Sequence, residues 1–279
     1  MTMLAVLILS GVALVFAVLI ALANRRLWVW EDPRIDVVSS LLPNANCGAC
    51  GLPGCRAFAE QAVEGLVKPS QCTVGTDDMH KAIAGFLGVD AGTAVRRVAR
   101  LQCAGGHDVA GTLAEYRGLQ TCAAATAVAG GGKGCAWGCL GLADCERVCD
   151  FGAITMTETG LPSVDPAKCT ACGDCVEACP KGLFTMLPVD THLLVQCKNL
   201  LNGDEVLEQC KVACTACGKC VQDAAEGLIS VASGVAVVNY DFDAQADQGA
   251  IARCPTGAIV WLSGMQFIPE PSLSRSAAA

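Results

Sequence analysis

Twenty cysteines stand in this chain of 279 residues, and most of them fall in tight groups. The densest is Cys169-Thr-Ala-Cys172-Gly-Asp-Cys175-Val-Glu-Ala-Cys179-Pro180, a CxxCxxCxxxCP run. Thiolates at this spacing wrap a cubane [4Fe–4S] cluster; three close ligands hold one cluster, and the fourth is carried away to ligate another. The run therefore predicts a partner motif elsewhere in the chain. CxxC pairs also bind zinc, but a third CxxC step with a terminal Cys-Pro is more than a zinc site uses.

The partner is Cys135-Ala-Trp-Gly-Cys139 continuing through Cys145 to Cys149, in a distorted form. Counted back from Cys149 as the exported ligand, Cys145 and Cys139 take the third and first positions, while Leu142 takes the second. Cys135 is expected to supply the missing thiolate. Cross-ligation then assigns Cys135, Cys139, Cys145 and Cys179 to one cluster and Cys149, Cys169, Cys172 and Cys175 to the next. A third set precedes them: Cys47, Cys50, Cys55 and Cys72, in a run whose glycines and Pro53 let the backbone turn tightly. Spacing alone leaves zinc open for this set; the company of the CxxCxxCxxxCP run selects iron and sulfur.

A shift of 75 positions lays the middle of the chain on its last third. Cys135, Cys139, Cys145 and Cys179 land on Cys210, Cys214, Cys220 and Cys254, and Pro180 lands on Pro255. Cys149, Cys169, Cys172 and Cys175 land on Ala224, Ala244, Asp247 and Ala250, so all four ligands of one cluster are lost together. A two-cluster unit that kept one cluster has this pattern. Cys217 restores regular CxxCxxC spacing, which assigns Cys214, Cys217, Cys220 and Cys254 to a fourth cluster. Cys103, Cys122, Cys197 and Cys210 are left over; four thiols could form a fifth site, but without close spacing they read as structural thiols.

The elements that must hold these groups follow from the intervening sequence. Residues Leu4 to Ala23 are uninterruptedly apolar or small, long enough at ~1.5 Å per residue to span a bilayer core of about 30 Å. Arg25 and Arg26 follow, with no charge on the N-terminal side, which by the positive-inside rule puts the bulk of the chain on the cytoplasmic face with Trp28 and Trp30 at the interface. A cleaved signal peptide would carry a basic n-region and a shorter apolar stretch. After a polar joint at Glu31-Asp32-Pro33-Arg34 comes a short helix, and Arg56 to Val67 reads as a helix with Cys55 at its start. Gly152 to Met156 and Pro162 to Val164 form a hairpin between the paired motifs, and Leu183 to Met186 closes the unit.

The expected fold is α+β, in six segments: 1–26 a single transmembrane helix, 27–90 a four-cysteine domain, 91–130 a connection, 131–192 a two-cluster domain of bacterial ferredoxin type, 193–265 its degenerate one-cluster copy, and 266–279 a mobile tail. Clustered CxxC runs suit metal better than disulfides and point to a reducing compartment. A net charge of −8 with no Lys/Arg block argues against nucleic-acid binding and suits a basic partner patch. Gly130 to Lys133 lacks the glycine and the Ser/Thr of a phosphate loop, and no GxGxxG joins a strand to a helix, so neither NAD nor flavin is expected to bind directly. His80, His107 and His192 read as solvated surface histidines. Neither an acid–base pair nor an activated nucleophile is recognisable, so the catalytic set is empty and the chemistry belongs to the clusters.

The span from the apolar helix through Arg25-Arg26, Leu41-Leu-Pro43, Asn46-Cys47-Gly-Ala-Cys50-Gly-Leu-Pro-Gly-Cys55-Arg56 and Cys72 resembles the B subunit of the Rnf complex, and the GCxxGCLGLxDC pattern at Gly134 to Cys145 resembles its longer, clostridial form. The four-cysteine unit is also similar to that of corrinoid iron–sulfur proteins, which lack the apolar helix and the ferredoxin domain. The Rnf resemblance covers about two hundred residues. It implies an iron–sulfur relay of four [4Fe–4S] clusters that passes single electrons between soluble ferredoxin and the membrane and flavin subunits of an ion-translocating ferredoxin:NAD⁺ oxidoreductase. Many members carry a complete two-cluster domain where this chain has a reduced one, which puts the redox role of the last third in question. Two other functions are open to the same residues, a membrane-anchored electron donor to a different reductase and a zinc scaffold.

Overall fold

The computed structural model describes residues 2–27, 30–93 and 95–268. Trp28 and residues 269–279, given above to the membrane interface and the tail, lie outside the described residues. Helix α1 (Thr2–Leu27) is continuous, and from Val6 to Leu27 it has a mean hydropathy of 3.0 with no part packed against the rest of the chain. It is long and apolar enough to cross a membrane. Arg25 and Arg26 sit in its last turn, where cations complement the helix dipole.

Three helices make the next unit: α2 (Pro33–Leu41), α3 (Cys55–Val63) and α4 (Asp77–Leu87). Each start is written in the sequence. Asp32 caps α2 ahead of Pro33 at its first position, Asn46 Oδ1 accepts from Cys55 N at 2.9 Å to cap α3, and Thr76 caps α4. Gly65 at φ 77° stops the chain from running helically to Val67, so α3 is shorter than predicted. Val38, Phe58, Ala59, Ala62 and Ile83 close a small core beside Cys72. His80 belongs to it, buried and bonded to the Cys72 carbonyl oxygen at 3.0 Å, which corrects its placement on the surface.

The rest of the chain folds the same way twice. In the first half β1 (Arg97–Leu101) pairs antiparallel with β4 (Phe184–Pro188), and β2 (Ile154–Met156) with β3 (Pro162–Val164); α6 (Asp144–Arg147) and α7 (Asp174–Ala178) lie between them in sequence. In the second half β5 (Leu193–Val195) pairs with β8 (Ile259–Trp261), and β6 (Ile229–Ala232) with β7 (Val235–Val238), with α9 (Lys219–Asp223) and α10 (Gly249–Ala252) in the same places. Two short helices, α5 (Cys122–Ala127) and α8 (Glu205–Gln209), precede the cysteine motifs of the two halves. Strand β1 lies inside the segment 91–130 that the sequence suggests is only a connection; Val98, Ala99 and Leu101 bury there against Leu183 and Phe184.

Each half has its own apolar core, and among the contacts that join them is a strap from the end of the second half. Arg100, 2% exposed, donates from its guanidinium to the Gly264 carbonyl at 2.7 Å, and the Gln266 amide bonds both backbone groups of Leu101 at 2.9 and 2.6 Å. Ser163 donates to the Phe267 carbonyl, and Phe267 packs on the first core. Gln266 and Phe267, placed by sequence in a mobile tail, are held by these bonds.

Candidate metal centres

In the CxxCxxC loops the backbone is bent on both sides of the middle position. Ala171 (φ 58°) and Gly173 (φ 99°) flank Cys172, and Ala216 (φ 55°) and Gly218 (φ 73°) flank Cys217. The third ligand then starts a helix: Cys175 on α7, Cys220 on α9. Gly141 (φ 74°) and Ala143 (φ 62°) flank Leu142 in the same manner, and Cys145 follows on α6. A left-handed alanine costs roughly 1–2 kcal/mol, so the first motif keeps a ligand loop at a position that has lost its thiol.

Three of the predicted sets each surround a hollow of similar size. Cys47, Cys50, Cys55 and Cys72 line one of about 330 Å³. Cys149, Cys169, Cys172 and Cys175 line one of about 320 Å³. Cys214, Cys217, Cys220 and Cys254 line one of about 380 Å³. Four thiols around one hollow are the donor set of a cubane cluster, and the residues present fit that group.

Backbone N–H groups point at the sulfurs. Ala153 N lies 3.4 Å from Cys149 Sγ and Leu183 N lies 3.5 Å from Cys179 Sγ, each donor four residues beyond its cysteine. Burial opposes ionisation of Cys254, but donation from Ile259, Thr256 and Ala258 outweighs it and holds this thiol below its usual range. At Cys175 burial wins. It pushes Cys175 up to about 12, with Cys169, Cys172 and Cys149 adding to it. Such thiols stay neutral until iron displaces their protons.

The remaining predicted set does not gather as its spacing suggested. Burial raises the Cys145 thiol, and the sulfurs that add to it are Cys139, Cys122, Cys179 and Cys175. Burial raises Cys139 to about 12, with Cys103 and Cys122 adding. Cys135 stands instead with Cys103, Cys197 and Cys210 around a fourth hollow, of about 340 Å³, lined also by Lys133 and Asn199. The reason is local: the Cys139 amide turns to Cys103 Sγ at 3.4 Å, and buried Asn199 holds Cys135 Sγ at 3.4 Å on the side facing the second half.

A family profile for an Fe-S cluster matches residues 42–74, and one described as a 4Fe-4S binding domain matches residues 161–184. The chain is 44% identical over 252 residues to the B subunit of the Na(+)-translocating ferredoxin:NAD(+) oxidoreductase complex of Acetobacterium woodii, covering 90% of this chain and 75% of that one. It is 34% identical over 273 residues to the B subunit of the proton-translocating ferredoxin:NAD(+) oxidoreductase complex of Clostridium ljungdahlii, covering 97% and 96%. The chain belongs to the B-subunit family of Rnf complexes. A further relative, the B subunit of the ion-translocating oxidoreductase complex of Methanosarcina acetivorans, is 35% identical over 252 residues, covering 90% and 95%. In this Rnf B chain the profiles cover the sets Cys47 to Cys72 and Cys169 to Cys179, and the family consists of iron–sulfur electron-transfer subunits of an oxidoreductase complex.

The four thiols left over by spacing could have been placed by a second repeat. Leu101-Gln-Cys103 and Val195-Gln-Cys197 stand 94 positions apart, each at the end of its half's first strand. The register proves the equivalence: Gln102 N donates to Leu183 O at 2.8 Å and Gln196 N to Ala258 O at 2.7 Å, with the acceptors 75 positions apart.

Proposed function

We propose that this chain is the iron–sulfur relay of a membrane-bound, ion-translocating ferredoxin:NAD⁺ oxidoreductase, taking single electrons from soluble ferredoxin and delivering them to the membrane and flavin subunits. The observation that carries it is the family membership over nearly the whole chain together with four-thiol hollows at the predicted spacings. When bound, a [4Fe–4S] cluster accepts and passes one electron at a potential set by charge, burial and hydrogen bonds to sulfur. The residues do the tuning. Cys47, Cys50, Cys55 and Cys72 would hold the first cluster; Cys149, Cys169, Cys172 and Cys175 another; Cys214, Cys217, Cys220 and Cys254 a third; Cys139, Cys145 and Cys179 share in a fourth. The N–H donors at Cys149, Cys179 and Cys254 stabilise added negative charge at sulfur.

The sites lie close in space as well as in sequence. Cys72 and Cys169 line one cleft between the four-cysteine unit and the first half, which supports electron passage from the first site to the ferredoxin domain. Helix α1 would anchor the relay as a single pass, with Arg25 and Arg26 on the cytoplasmic side.

Anaerobic purification with its neighbouring subunits tests the assignment. Low-potential cubane EPR signals on reduction, and co-purification of flavin-bearing subunits with NADH activity, are expected. A chain that carries zinc and no acid-labile sulfide, or one that brings down a different reductase, would sink it.

A further inference from the structure

We propose that a fifth [4Fe–4S] cluster, which the four leftover thiols could have formed by number alone, is held at the seam between the two halves by Cys103, Cys135, Cys197 and Cys210, and that Cys122 takes the place of Cys135 beside Cys139, Cys145 and Cys179. This rests on the reading of the other sets as cubane sites. All twenty cysteines then fall into five sets of four.

The fifth set is built symmetrically. Cys135 and Cys210 are equivalent under the 75-residue shift, and Cys103 and Cys197 are equivalent by strand register. Each half contributes one pair. The seam is closed by backbone: Gly111 N donates to Gln209 O at 2.8 Å, Lys211 N to Val109 O at 3.0 Å, and Ala104 N to Gln196 O at 3.0 Å. Gly105 stands at the sulfurs, where an added Cβ would lie 3.1 Å from Cys210 Sγ and 3.7 Å from Cys103 Sγ. The resulting hollow, about 340 Å³, matches the three at the other sets, which measure about 330, 320 and 380 Å³.

Its polar groups suit an anionic cluster. A cubane with four thiolates carries net negative charge. Lys133 lines the hollow and donates to the carbonyl oxygens of Gly105 and Cys139 at 2.5 Å each, which sets a cation beside the four thiols. Asn199, 1% exposed, gives Cys135 an N–H donor. The same amide also bonds Gln209 Oε1 at 3.2 Å and accepts from Leu201 N at 2.8 Å, which fixes its N–H toward the sulfur.

The exchange of Cys122 for Cys135 follows from one insertion. Cys103 to Cys135 spans 32 positions where Cys197 to Cys210 spans 13, so the first half carries 19 extra residues, and Cys122 at the start of α5 is among them. The second half has Cys217 at the position of Leu142. The insertion therefore returns a thiol to the site that lost one. Cys103 adjoins Cys139 and Cys197 adjoins Cys214, which places the fifth cluster between the ferredoxin domain and the last third and makes the relay continuous.

Iron and sulfide analysis of the full chain, purified without oxygen in detergent, decides it. About twenty iron atoms per chain are expected, five sites of four. Cys210→Ser should remove about four, Cys135→Ser with Cys210→Ser the same four, and Cys122→Ser with Cys210→Ser about eight. A count of about sixteen in the unaltered chain overturns the proposal and leaves the relay standing; a count near zero overturns the relay itself. Equal losses from Cys122→Ser, Cys135→Ser and their combination would return both to one cluster. Where a variant sheds all its iron, the cluster count of the unaltered chain by native mass spectrometry decides alone.

Discussion

The halves on either side of residue 193 share strands, hairpin and ligand loops, yet differ in what fills the space behind the paired helices. In the first, Ala153 lines the hollow that Cys149, Cys169, Cys172 and Cys175 surround. In the second, the equivalent of Ala153 is Leu228, fully buried, and Ala250, 1% exposed, replaces Cys175. Tyr240, Ile251 and Ala224 pack against the same core. Asp223 and Arg253, in the places of Val148 and Ala178, join α9 to α10 by a bidentate ion pair at 2.6 and 2.8 Å. A cluster position can thus be retired by apolar volume while the backbone stays, because both solutions supply the helices with a partner to pack on. Loss of the thiols was accompanied by gain of carbon.

The comparison can be broken most severely by exchanging the volume. Ala153→Leu should fill the first hollow as Leu228 fills the second and remove about four iron atoms per chain, seen by iron analysis and by loss of one EPR component; unchanged iron would mean that volume does not exclude the cluster. The next effect concerns the loop around Leu142. Cys122→Ser should also cost about four iron atoms, and Leu142→Cys in the same chain should restore them, because Gly141 and Ala143 already hold the backbone of a ligand position. Failure of that rescue would separate the two loops despite their shared dihedral angles.

A smaller change is expected from Leu228→Ala, which should destabilise the second half by roughly 2–5 kcal/mol through the cavity it opens. Iron content should stay constant while hydrogen exchange quickens in β6 and β8. The smallest concerns Asp223→Asn. The Arg253 guanidinium holds the Asp223 carboxyl below the usual carboxylate range, so its contribution is present at neutral pH and lost as pH falls through that lowered value. Both groups face solvent, and thermal melting at neutral pH should scarcely move while the acid limb of the wild-type profile flattens in the variant.

Much of this was legible in the residues. The three compact cysteine sets, the apolar helix, both hairpins and the doubling of the ferredoxin unit follow from spacings that local chain geometry enforces. What escaped is non-local. Strand β1 carries Arg97 and Arg100, so it lacks the alternation that marks a half-buried strand, and Arg100 is buried only because the strap arrives 164 residues later. Cys122 and Cys135 cannot be told apart by distance along the chain, since an insertion lets the farther thiol fold back. Cys103 and Cys197 repeat at 94 rather than 75 for the same cause, and a search at one period passes them by. His80 looks like any helical histidine until the Cys72 carbonyl is placed beside it.

The strap has a consequence for where this molecule can be divided. By its cysteines the first half looks like a complete two-cluster module ending near residue 192. Severed there, it would lose the Gly264 carbonyl that receives the Arg100 guanidinium and the Gln266 amide that pairs with both backbone groups of Leu101. Each such hydrogen bond is worth roughly 0.5–1.5 kcal/mol to the folded chain. The boundary that the repeat draws in sequence is therefore crossed in the fold: the end of the second half is bonded to and packed on the first.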